Sequence, residues 1–216
     1  MLEKITLEPR QTATASIIWL HGLGADGHDF VPIAEELALP EVRYVFPHAP
    51  VRPISLNNGY PMRGWYDIFG LGLESQQDET GIRTMQVEIE ALIAEEVSRG
   101  IPSERIVLAG FSQGGAMALQ TALRYPARLA GVLALSTYLP IKQALAAEQH
   151  AANKSTPIFM AHGADDSVIL PGTAAMSRDV LREHGYALEW HTYDMPHSVC
   201  AEEIDDIRRF LQRVLG

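Results

Sequence analysis

Gly110, Ser112 and Gly114 stand in the spacing Gly–x–Ser–x–Gly. Ile106–Val107–Leu108–Ala109 leads into them as an apolar, β-forming run, and Gly115–Ala116–Met117–Ala118–Leu119 begins a helical pattern at once behind. Strand, sharp turn and helix are the setting in which this spacing presents a nucleophilic serine. A turn that tight holds Ser112 at strained backbone angles and lifts its hydroxyl clear of the sheet. Gly110 and Gly114 flank it because a β-carbon at either would collide with the neighbouring strand or helix. The alternative is a glycine-rich strand–helix turn with an idle serine; the strand before and the helix after favour the nucleophile.

A serine hydroxyl is a weak nucleophile until a base accepts its proton, and a third group must orient the base. Of eight histidines, His197 lies in a loop after the last strand pattern and before the last helical one. His191 falls inside that strand pattern, and His28, His48, His150 and His184 have no chemical neighbour in sequence, which reads as structural. His21 and His162 each precede a glycine at a strand end, where they can shape a site without being its base. For the acid, Asp165, Asp166 and Asp194 compete. Asp194 is so close before His197 that it reads as a cap of that turn. Asp165 and Asp166 are adjacent, so their side chains diverge and only one can face the histidine. The residues alone do not choose between them. The order serine, acid, histidine is the one α/β-hydrolases use.

Acyl transfer also develops an oxyanion, which backbone N–H groups stabilise well because they are fixed before the charge appears. Gln113, directly after the nucleophile, is one donor, and Leu23 in the glycine-rich stretch His21–Gly27 is the candidate for the other. That stretch has neither Walker spacing nor a lysine, which argues against a phosphate cradle. Cys200 opens a helical stripe without a base of its own, so a second nucleophile is disfavoured. His21, His162 and the aspartates lack paired-histidine spacing, so no metal site is expected, and no cofactor is called for.

These residues need a scaffold that carries them to one place. Leu2–Leu7 reads as an edge strand and Ser16–Leu20 as a strand covered on both faces, with a helix from about Phe30 to Leu37. Val42–Phe46 is the next strand, stopped by Pro47 and Pro50. Ile82, Met85, Ile89, Leu92, Ile93 and Val97 mark the buried stripe of a helix that ends near Gly100. The helix behind Ser112 runs to about Tyr125, before Pro126. Gly131–Leu135, Ile158–His162 and Ala187–Tyr193 read as strands, Thr173–Glu183 as a helix, and Ile204, Ile207, Phe210, Leu211 and Val214 as the stripe of a last helix. Strands alternate with helices, which predicts an α/β fold: a mostly parallel central sheet flanked by helices, in one domain over residues 1–216. Sites in such sheets form beyond the carboxyl ends of the strands. His21–Gly27, Ser112–Gln113, Asp165–Asp166 and His197 all fall there.

Two stretches break the alternation, His48–Glu79 and Ser136–Thr156. The first is rich in Pro, Gly and aromatic residues, and Met62–Leu73 is too apolar for a solvated loop, which reads as a lid or binding loop rather than one packed for stability alone.

The 216 residues are 47% hydrophobic and carry a formal net charge of −10, which argues against nucleic acid or acidic lipid as the main partner. No run approaches a membrane span, so no integral membrane association is expected. No apolar leader follows Met1, and Cys200 is the one cysteine, so a cytoplasmic protein without disulfides is the default. A homodimer is compatible with the sequence.

Leu20–Gly24, Arg63–Asp67, Asp78–Gly81, Gly110–Gly115, His162–Gly163 and Met195–Ser198, in this order along nearly the whole chain, resemble the phospholipase/carboxylesterase family, which holds bacterial carboxylesterases and acyl-protein thioesterases. Ala164, Ser167 and Pro196 depart from that family's commoner residues. The resemblance implies the α/β-hydrolase fold, a catalytic triad of Ser112, Asp166 and His197, and oxyanion donors at Leu23 and Gln113. Its His–Gly–x–x–Asp pattern places the acid at Asp166. It implies further that Trp65, Phe69, Leu71 and Leu73 line an acyl groove. The activity expected first is hydrolysis of small carboxylic esters with short to medium acyl chains through an acyl-enzyme. Acyl-protein thioesterase or lysophospholipase activity is the nearest alternative, and a catalytically silent hydrolase fold used for binding the remote one.

Overall fold

Four of the apolar runs become the middle of a seven-stranded sheet in a computed structural model of the chain, which describes residues 2–70 and 76–216. In chain order the elements are β1 (Lys4–Leu7), β2 (Ala15–Leu20), α1 (Val31–Leu37), β3 (Val42–Pro47), β4 (Val51–Ile54), β5 (Tyr60–Arg63), α2 (Glu79–Ser98), β6 (Ile106–Phe111), α3 (Gln113–Ala122), β7 (Gly131–Leu135), α4 (Leu145–Glu148), β8 (Ile158–Gly163), α5 (Pro171–Glu183), β9 (Leu188–Tyr193) and α6 (Ala201–Leu215). The sheet runs β1-β3-β2-β6-β7-β8-β9. Only β1 is antiparallel, against β3; every other pairing is parallel.

β2, β7 and β8 are buried along their whole length because helices cover both faces, which is why they read as continuous apolar runs. On one face Ile18, Leu108 and Met160 pack with Ile82, Ile89 and Ile93 of α2 and Met117 and Leu119 of α3. On the other, Ile17, Val107 and Phe159 pack with Ala34 and Leu37 of α1 and Ile207, Phe210 and Leu211 of α6. This is the α/β-hydrolase architecture, in a single domain.

The stretch from His48 is not one irregular excursion. It holds β4 and β5, an antiparallel hairpin separate from the main sheet, in which Val51 faces Arg63 and Ile54 faces Tyr60. Its corner is Asn58–Gly59, both at positive φ (54° and 75°), a conformation those two residue types adopt readily. Two boundaries and one burial also differ from the sequence pattern. α3 ends at Ala122, the last residues before Pro126 forming a turn, and α5 begins earlier, with Pro171 in its first turn. Val97 is 44% exposed, because the buried position in the last turn of α2 is Glu96.

Candidate active site

β6 enters the site and α3 leaves it, and the junction is Ser112, at φ 54° and ψ −121°. The turn is held from behind: Ser112 N–H donates to the Leu135 carbonyl at 2.9 Å, and Thr137 Oγ1 donates to the Ser112 carbonyl at 2.7 Å. A β-carbon on Gly110 would lie 2.3 Å from the backbone of Gly114, and one on Gly114 would lie 2.1 Å from the Leu20 carbonyl oxygen. Helix α3 therefore lies against the ends of β6 and β2 as only glycine permits, and the strained serine points away from both. Backbone strain of this kind costs about 1–3 kcal/mol and persists only where its surroundings impose it.

The loop after β8 carries Asp166, 2% exposed, and the loop after β9 carries His197. His197 Nδ1 lies 2.7 Å from Asp166 Oδ2. The other carboxylate oxygen accepts from the N–H groups of Val168 and Ile169, at 2.8 and 2.9 Å. Asp165 and Asp194 are exposed, and neither side chain meets His197. Two hydrogen bonds tie the loops together, Ala164 N–H to the Tyr193 carbonyl at 2.8 Å and Asp165 N–H to the Met195 carbonyl at 3.2 Å. The Phe111 ring packs on the His197 ring with centroids 4.7 Å apart, which sets the histidine beside the nucleophile turn.

The loop after β2 closes the site from the other side. Gly22 packs against Phe111 and Ser112, close enough that a β-carbon there would be 3.6 Å from that of Ser112. Outside the regular helices and strands, no backbone hydrogen bond among the described residues uses the N–H of Leu23 or of Gln113. His21 is buried, its Nε2 accepting from Ala49 N–H at 3.0 Å, and burial lowers its pKa to about 4, so the ring stays neutral and structural.

Ser112, His197, Gly22, Leu23 and Gln113 border one cavity of about 380 Å³, within the range of small-molecule sites. Its apolar lining includes Leu56, Ile68, Phe69, Leu139, Val168, Ile169 and Met176. Of the residues expected to line an acyl groove, Phe69 is on this cavity's wall. Trp65 is not: its side chain is fully buried, and its Nε1 donates to the His21 carbonyl at 2.8 Å. It braces the loop after β2 and does not line the cavity, so the groove-lining expectation for Trp65 is corrected. Its ring is large enough to fill space under that loop and has a donor for the His21 carbonyl. Leu71 and Leu73 lie outside the described residues.

Several residues that matter here carried no separate signal. The Gln113 side chain joins α3 to the stretch after β5, its Oε1 accepting from Trp65 N–H at 2.9 Å and its Nε2 donating to the Tyr66 carbonyl at 2.7 Å. Tyr66 and Tyr138 hydroxyls meet at 2.7 Å in the cavity wall. Asp78 caps α2 by accepting from Gly81 N–H, and also accepts from Asp67 N–H, which anchors the same stretch to the helix. The motifs Arg63–Asp67 and Asp78–Gly81 are thus scaffold around the cavity. Among the described residues no helix is long and apolar enough to cross a membrane, and no cluster of three or more His, Cys, Asp or Glu could hold a metal.

Comparison with known proteins agrees with this architecture. A profile of the phospholipase/carboxylesterase family matches residues 3–215. Acyl-protein thioesterase 1 of Neurospora crassa is 45% identical over 210 residues, which span 92% of this chain and 86% of that protein. Among solved structures, Zea mays acyl-protein thioesterase 2 aligns with a TM-score of 0.90 and 28% identity over the whole of both chains. Arabidopsis thaliana SOBER1 aligns with a TM-score of 0.89 and 31% identity, over 94% of this chain and 99% of its own.

Proposed function

The chain belongs to the phospholipase/carboxylesterase family, and on that premise we propose that it is an acyl thioesterase, with hydrolysis of the matching oxygen esters as a second activity of the same site. Membership makes it an esterase-type hydrolase. The order of bonds is our reading: sequence alone put carboxylic esters first, and relatives named acyl-protein thioesterase favour the thioester.

One observation carries the chemistry. Ser112, at positive φ, and His197, hydrogen-bonded to Asp166, open onto a single apolar-walled cavity. In the reaction Ser112 Oγ attacks the acyl carbonyl while His197 takes its proton. Asp166 orients the imidazole and offsets the charge it gains. The N–H groups of Leu23 and Gln113 receive the oxyanion. The C–S bond breaks, the leaving thiolate takes the proton from His197, and water releases the acyl group by the same steps with His197 again as base.

The test is an acyl series presented as matched thioesters and oxoesters, beside fluorophosphonate labelling of wild type and Ser112→Ala. The expected result is a higher kcat/KM for the thioester at each chain length, with turnover and labelling both lost in Ser112→Ala. Preference for the oxoester throughout returns the protein to the carboxylesterase reading. Absence of labelling in wild type makes it a silent hydrolase fold.

A further inference from the structure

His162, next to last in β8, is fully buried, and its ring borders the acid. Nε2 lies 2.7 Å from the Ile169 carbonyl oxygen and 3.2 Å from Asp166 Oδ2. With an acceptor on each of two sides, that nitrogen carries the proton. Nδ1 is buried with no hydrogen-bond partner among the described residues, a place where a second N–H would be stranded. The ring is therefore the neutral Nε2–H tautomer. Burial pushes the same way, holding its pKa below the ordinary histidine value, with the attraction of Asp166 opposing and His197 adding to the lowering. On another side the Trp190 ring stacks on it, centroids 6.4 Å apart, with the Arg178 guanidinium over that indole.

The carbonyl that His162 grips belongs to the turn that holds the acid. Val168 and Ile169 give their N–H groups to Asp166 Oδ1, and Ile169 gives its carbonyl to His162. Oδ2, the oxygen that meets His197 Nδ1, faces the His162 N–H edge on its other side. Asp166 is surrounded by donors, and His162 is the one side chain among them that the proposed chemistry leaves unused.

We propose that His162 is the positioning residue of the acid: it locks the turn over residues 166–169 through the Ile169 carbonyl and fixes the rotation of the Asp166 carboxylate, so that Oδ2 meets His197. This rests on the reading of Asp166 and His197 given above. A carboxylate free to turn would spend less time bonded to Nδ1, and the imidazole would lose its orientation while the cavity kept its shape. The loss should fall on kcat, with KM little changed.

Three substitutions separate positioning from packing. His162→Leu removes the donor, His162→Asn carries an amide too short for Ile169, and His162→Gln returns an N–H to about the reach of Nε2. With an acyl thioester, kcat should fall roughly ten- to a hundredfold in the Leu and Asn variants and largely recover in the Gln variant. In an Asp166→Asn background, His162→Leu should add little, because both changes act on one contact. A Gln variant no better than Leu, a Leu variant within about threefold of wild type, or an undiminished loss in the Asp166→Asn background overturns the proposal. Circular dichroism melts accompany each variant, and if His162→Leu does not fold, the Gln and Asn pair decides. Full activity in Asp166→Asn alone would overturn the triad reading itself, a different result from losing activity there and keeping it in the His162 variants.

Discussion

Gly163 and Met195 touch backbone to backbone: a β-carbon on the glycine would come within 2.3 Å of the Met195 carbonyl oxygen and 2.4 Å of that of Pro196. This contact brings the loop of the acid and the loop of the histidine together at the carboxyl ends of β8 and β9. Gly163→Ala must push the two loops apart, since neither obstacle is a flexible side chain. We expect about 1–3 kcal/mol of destabilisation from overpacking. Turnover should fall much further, on the order of a hundredfold for a displacement near 1 Å. Gly172→Ala, in the first turn of α5 with open space around it, is the control and should leave both melting temperature and turnover nearly unchanged. Thermal melts and kcat on the same preparations test the pair; wild-type turnover in Gly163→Ala would show that the contact does not set the site.

Asp165 and Asp166 should differ sharply on removal of charge. Asp166→Asn leaves the volume and loses the charge bonded to His197, so kcat should drop by roughly three to four orders of magnitude. Asp165 is exposed, and Asp165→Asn should have little effect. Parallel kinetics decide between them, and the reverse ranking would move the acid to Asp165.

The tie between these two neighbours shows where sequence reading stops. Its outcome depends on the turn over 166–169, which rotates one side chain inward, and alternation alone carries no information about that rotation. The central strands were legible because each is an apolar run covered on both faces, and the Ser112 turn because only glycine fits beside it. The β4–β5 hairpin had a signal, Asn58–Gly59, but Pro53 and Pro61 inside the strands obscured it. Trp65 was legible as buried and apolar, yet nothing in the sequence distinguishes a ring under a loop from one facing a cavity. Glu203 was invisible. A glutamate in the first turn of a helix ordinarily faces water, whereas this one is fully buried.

Glu203 makes stability depend on pH. Neither carboxyl oxygen makes a hydrogen bond of good geometry among the described residues, and the Cys200 N–H offers only a weak contact. Burial raises its pKa from 4.5 to about 8, with the Cys200 N–H opposing and Asp206 reinforcing. An acid whose folded pKa lies above its unfolded one holds its proton more tightly when folded. Its contribution is therefore complete below pH 4.5 and is lost progressively as pH rises toward 8. Glu203→Gln removes the titration. The variant should match wild type at low pH and exceed it by several kcal/mol near pH 8 and above. Urea melts of both proteins from pH 4.5 to 9 give the difference directly, and a difference that does not change with pH would mean the carboxyl titrates normally.

Phe69 and Met176 line the cavity as apolar residues that are still 47% and 37% exposed, which suits them to meet an acyl chain where it leaves water. Burying one methylene against them contributes about 0.8 kcal/mol at most, or roughly a fourfold gain in kcat/KM per carbon. An acetyl group is too short to gain from such contacts, so its hydrolysis reports on the chemistry alone. Phe69→Ala and Met176→Ala should therefore flatten the rise of kcat/KM with chain length and leave the acetyl substrate nearly unchanged. Because both residues are partly exposed, the substitutions should hardly alter the melting temperature. The measurement is an acyl series on wild type and both variants. An equal loss at every length would mean these side chains support the chemistry, and an unaltered slope would mean the acyl chain leaves the cavity by another wall.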